Sequence, residues 1–73
     1  HLEVDDLMEL VRDLPVGYRT VFNLYAIEGY SHAEIAELLG ITESTSKSQL
    51  NRARNVLKEK ITKQQLKERR ING

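Results

Sequence analysis

Apolar residues in this chain recur three and four positions apart almost from end to end, and nowhere do they alternate with polar ones at the period of two that a half-buried strand requires. Leu7, Leu10, Val11 and Leu14 form the first stripe, with Asp5 and Asp6 at the front, where a helix dipole favours negative charge. Pro15 follows at once. Proline suits the first turn of a helix and not its interior, so it ends this helix and opens the next. Tyr18, Val21, Phe22 and Tyr25 make the second stripe, and Gly29 closes it as a residue that takes left-handed backbone angles without strain.

The third helix has the sharpest start signal. In Ser31-His-Ala-Glu34 the serine can cap the backbone three residues on while the glutamate reaches back, and Ile35, Ala36, Leu38 and Leu39 then supply a face expected to be buried. Gly40 stops this helix after about two turns. Thr42 caps a fourth helix two residues later, with Glu43 in its first turn. Leu50, Ala53, Leu57 and Ile61 share one stripe of it, so it runs at least to about Ile61. Beyond that point "TKQQLKERRING" places Leu66 off the stripe and ends in Asn-Gly, so residues 62–73 are expected to fray or be disordered. The pattern predicts an all-α fold: a small four-helix domain over residues 1–61, with a helix-turn-helix over about 31–61.

Two small residues favour that motif over an ordinary helical hairpin inside a bundle. Ala36 faces the next helix where a larger side chain would push the pair apart, and Gly40 tolerates the tight turn, after which Ile41 can drop into the core. The fourth helix then opens on "STSKSQLNRAR", whose hydroxyl residues are poor helix formers. At about 100° per residue, Ser44, Ser48, Asn51, Arg52 and Asn55 gather opposite Leu50, Ala53, Leu57 and Ile61. Short side chains there let a helix sink into a DNA major groove with its free N–H groups near a phosphate. Asn51 and Arg52 are the types that pair bidentately with adenine and guanine edges. Lys47, Arg54, Lys58 and Lys60 flank this face and can neutralise backbone phosphates. Arg54 is only about 40° from the apolar stripe, so snorkelling over the core is its alternative role, and plain solubilisation is that of Lys58 and Lys60.

Charge sharpens this picture. The 73 residues sum to zero, but up to Thr45 there are nine acidic and two basic residues, and from Ser46 onward two acidic and nine basic. Such a split suits two surfaces, one for phosphates and one for a basic protein partner. There is no cysteine, which removes disulfides, thiolate catalysis and Cys-type zinc sites and fits a cytoplasmic location. Two histidines, His1 and His32, do not make a metal site, and no Gly-rich phosphate loop or His–carboxylate pair marks an enzyme or a cofactor site. No apolar run approaches the roughly 20 residues of a membrane span, and "KQQLKERR" has one apolar residue to insert into a membrane surface. The chain opens on His rather than Met, as an excised domain or a cloning scar would.

From Leu14 onward, "LPVGYRTVFNLYAIEGYSHAEIAELLGITESTSKSQLNRARNVLK" resembles region 4 of the bacterial sigma factors, most closely the extracytoplasmic-function group. The Leu-Pro followed by Tyr-Arg, the Glu-Gly-Tyr-Ser, the Glu-Ile-Ala-x-Leu-Leu-Gly turn and the Arg-Ala-Arg carry the resemblance over about three-fifths of the chain. It implies a domain whose last helix reads the promoter −35 element from the major groove while the domain rests on the beta flap of the RNA polymerase core. It also implies a possible clasp by an anti-sigma factor. By position it places Thr45 and Lys47 at early phosphate- and base-contacting sites and Ser48, Asn51 and Arg52 on the base-reading surface; Arg54 joins them as a phosphate contact. Ser46 departs from the pattern, standing where the family usually has an apolar residue, and is expected to weaken packing unless its hydroxyl bonds a carbonyl in the previous turn. Region 2, which melts the −10 element, is absent from this stretch. Two alternatives stand beside this reading: the dimeric output domain of response regulators, although the residues after Ile61 are too polar for a dimer seam and favour a monomer, and a pure protein-interaction bundle.

Overall fold

The structure, a computed structural model, describes the backbone of residues 4–72 and the side chains of residues 6–64. Among the described residues the order is α1 (Val4–Arg12), α2 (Val16–Phe22), a π-helical turn (Asn23–Ile27), α3 (His32–Leu39) and α4 (Glu43–Asn72), with no strand. The caps predicted from local sequence are formed. Pro15 stands at the N-cap of α2 with φ −50°. Ser31 Oγ accepts the Glu34 N–H at 3.1 Å while Glu34 Oε1 accepts the Ser31 N–H at 3.0 Å, the reciprocal box expected. Thr42 Oγ1 accepts the Thr45 N–H at 3.0 Å. Gly29 and Gly40 take φ of +79° and +66°, where any side chain would be strained. Arg19 adds a tie between elements, donating from Nη1 to the Arg12 carbonyl at the end of α1, one of the acceptors a helix terminus leaves open.

The core follows the apolar stripes, in two clusters that share Phe22. Val11, Leu14, Ala53 and Leu57 bring α1 and its following turn onto the middle of α4, with Leu10, Tyr18, Phe22 and Val56 at their edge. Val21, Ile35 and Leu50 join α2 and α3 to the start of α4, with Phe22, Leu24, Tyr25 and Ile41 around them. Burying each aliphatic side chain of this kind contributes about 1.5–3 kcal/mol relative to exposure. α4 is the common floor beneath the other three helices.

Four details differ from the sequence expectation. The second helix is not regular to its end: Glu28 N–H reaches back to Asn23 O, five residues earlier, and Tyr30 N–H to Leu24 O, six earlier. That wide turn is the π-helix, and it sets the direction in which Tyr25 leaves the backbone. Leu38 and Leu39 do not share the burial of Ile35. Leu38 is 59% exposed and Leu39 39%, against 0% for Ile35, because two-turn α3 has neighbours on one side only. Ile61 is half-buried, and α4 is helical past it, to Asn72, where fraying was expected from residue 62. Lys, Gln, Leu, Glu and Arg are all good helix formers, and extending an established helix costs far less than starting one. Thr62 Oγ1 to Lys58 O at 2.9 Å and the Lys63–Glu59 pair at 3.4 Å belong to this extension; Leu66 lies outside the described side chains. Fourth, Ser46 is fully buried, but its hydroxyl meets His32 Nδ1 at 2.8 Å instead of a carbonyl of its own helix.

Glu34 gives the capping box a pH dependence. The Ser31 N–H first, and the Ser31 side chain second, hold its carboxyl below the ordinary value of 4.5. The unfolded chain therefore binds its proton at higher pH than the folded one. The box contributes fully above 4.5, and that contribution is lost as pH falls through the lowered folded value. Glu34→Gln keeps the acceptor but not the charge. Wild type is expected to melt higher than this variant at neutral pH and to lose the advantage in acid; a difference in melting temperature independent of pH would contradict the assignment.

Candidate nucleic-acid interface

α4 presents its sides to different surroundings, and the division follows from the 3.6-residue turn. Ser46, Leu50, Ala53 and Leu57 face inward and are buried. Ser44, Ser48, Asn51 and Asn55 are exposed on the opposite side, and Arg52 is exposed beside them. Asn51 and Arg52 stand about 50° to either side of the centre of this outer face at 100° per residue. Neither is enclosed by another element. Lys47, Arg54 and Lys58, all exposed, line one flank within about 40° of each other. Lys60, expected among them, falls on the other flank and is half-buried.

Of the sequence-predicted site residues, Thr45, Lys47, Ser48, Asn51, Arg52 and Arg54 thus all lie on the exposed surface of the first four turns of α4. Thr45 is partly committed, since its hydroxyl accepts from Thr42 Oγ1 at 2.9 Å; its own hydrogen stays available for donation. Arg54 is neither free nor sunk over the core: its guanidinium carbon stands 6.0 Å from the centroid of the Tyr25 ring.

Beside the outer face lies an open apolar groove of about 240 Å³ between α2, the turn and α4, lined by residues that include Val16, Val21, Leu39, Ile41, Thr45 and Gln49. Oε1 of Gln49 is buried there without a hydrogen-bond partner. A groove with exposed aliphatic walls is suited to a protein partner. Neither Gln49 nor the Tyr25–His32 contact figured in the sequence reading; the available signal was Ser46, a polar residue on the core stripe that required a partner.

A buried-stripe helix carrying small polar and basic residues outward, held after a capped helix and a glycine turn, is the arrangement of a helix-turn-helix reader. Comparison with known proteins decides its lineage: residues 5–57 match the family described as "Sigma-70, region 4". The chain belongs to the sigma-70 region 4 family. It is also 35% identical over 66 residues to the RNA polymerase sigma factor SigV of Bacillus subtilis (strain 168), a match covering 90% of this chain and 40% of that protein. The chain therefore spans about two-fifths of the length of the curated relative it matches. No solved structure matches it significantly. The family match ends at Leu57, the last buried residue of the α4 stripe among the described side chains. None of the described helices of this region 4 chain is long and apolar enough to cross a membrane.

Proposed function

We propose that this chain is the promoter-binding module of an RNA polymerase sigma factor of the extracytoplasmic-function group, with α4 reading the −35 element in the major groove to direct transcription initiation. The observation that carries this reading is the exposure of Asn51 and Arg52 on the side of α4 turned away from buried Leu50 and Ala53. Ser48 and the Thr45 hydroxyl add short contacts near the start of the helix, and Lys47, Arg54 and Lys58 neutralise phosphates along one strand. The function is binding and not catalysis, and it needs no cofactor. The Val16–Leu39–Ile41 groove is the surface offered to the polymerase beta flap, and an anti-sigma factor would act by covering it. The module works in the cytoplasm, as a monomer until the polymerase holds it.

A duplex selected from a random library by the chain, with the polymerase core present, supplies the test. Titrated at several salt concentrations, a reader that neutralises about three phosphates gives log K falling against log salt with a slope near −3. Absence of binding even at low salt would instead favour a protein-interaction bundle.

A further inference from the structure

Ser46 is the polar residue the core buries completely among those described, and a buried hydroxyl must find a partner. Its partner is His32, the first residue of α3, at 2.8 Å through Nδ1. The His32 ring in turn stacks on Tyr25 of the π-helical turn, centroids 4.4 Å apart and planes 16° from parallel. Arg54 of α4 stands over Tyr25 at 6.0 Å, the outer reach of a cation–π contact. The chain of contacts begins on α4 at Ser46 and returns to α4 at Arg54, about 12 Å further along at 1.5 Å per residue. It braces one side chain of the basic flank from outside the helix.

From this geometry we propose that Tyr25 and His32 are positioning residues for DNA binding, forming a stacked platform that holds the Arg54 guanidinium at the edge of α4 as a sequence-independent phosphate clamp. The proposal rests on α4 being the DNA-reading helix. An unsupported arginine gives up much rotamer freedom when it grips a phosphate; one already laid against a ring gives up less. Its neighbours on the flank, Lys47 and Lys58, carry compact ammonium groups on flexible stems, so Arg54 is the planar, pre-aimed donor of the row. The platform also gives a reason for the polar residue in the core: an apolar residue at position 46 would leave His32 without its bond.

The test measures binding of the whole chain to the selected duplex and to a random-sequence duplex. Arg54→Ala is expected to weaken both alike and to reduce the salt slope by about one. Tyr25→Leu, which keeps apolar bulk but removes the ring, is expected to weaken both by about two- to fivefold. Tyr25→Phe is expected to restore binding, and Tyr25→Leu to have no further effect in the Arg54→Ala background. Equal losses from Tyr25→Leu with and without Arg54, or an unchanged slope in Arg54→Ala, would overturn the proposal. Arg54→Lys lies on the exposed surface and tests it even where Tyr25→Leu does not fold: weaker binding than wild type on the random duplex supports a positioned plane, and equal binding overturns it. Sensitivity of the selected duplex to Arg52→Ala shows separately that the DNA-reading assignment stands, so the two readings fail independently.

Discussion

Ile35→Ala is expected to lower the free energy of unfolding by about 2 to 5 kcal/mol, the usual loss when a buried isoleucine is cut back and the site cannot close. Ile35 has no exposed surface and joins Val21 of α2 and Leu50 of α4, so the cavity would open where three helices meet. A chain of 73 residues is worth only roughly 4 to 11 kcal/mol in total at 0.05–0.15 kcal/mol per residue. The variant should therefore melt at a much lower temperature by far-UV circular dichroism and lose DNA binding with its fold. Leu38→Ala, three residues on but largely exposed, supplies the contrast and should stay within about 0.5 kcal/mol of wild type. Equal losses from the two changes would mean that α3 packs through a different face.

Arg52→Ala should leave the fold unchanged and weaken binding to the selected duplex by about 1 to 3 kcal/mol, with relaxed preference at a single base pair. The reason is geometric. Arg52 is exposed on the outer face, where a guanidinium can meet a guanine edge with two parallel bonds, and losing both discards affinity and discrimination together. Lys58→Ala, on the basic flank, should weaken selected and random duplexes alike and lower the salt slope by about one, because a phosphate carries no sequence information. Selection from a random library with each variant, followed by salt titration, measures both. If Arg52→Ala and Lys58→Ala reduce binding to all sequences equally, Arg52 is a phosphate contact and the base reading must come from Asn51 and Ser48.

The local devices were legible because they are built within a few residues of one another. Ser31 and Glu34 are three apart, as are Thr42 and Thr45, and the two glycine turns depend on backbone angles that only the residue in place must accept. The outward face of α4 was legible for the same reason, since a helix returns every 3.6 residues whatever surrounds it. Period alone could not say how much of an apolar face finds a neighbour. Leu38 and Leu39 fit the pattern of α3, yet only Ile35 has helices around it, and the leucines left outside are what make the groove beside α4 and the recess between Tyr30 and Leu38. Nor could it foresee the length of α4: Lys, Gln, Glu and Arg make up most of the residues after Leu57, and all four are good helix formers.

By itself, then, the sequence determined where the helices start, their caps, the turn between α3 and α4 and the polar face that α4 turns outward, because each depends on contacts one or two turns apart. The tertiary structure alone decided which apolar residues were covered, where the wide turn sent Tyr25, and how Ser46, His32, Tyr25 and Arg54 came into one line. Those four residues come from three separate elements. Their meeting is a property of how the elements pack, since stacking and hydrogen bonding act only over a few ångströms and no spacing along the chain encodes that distance.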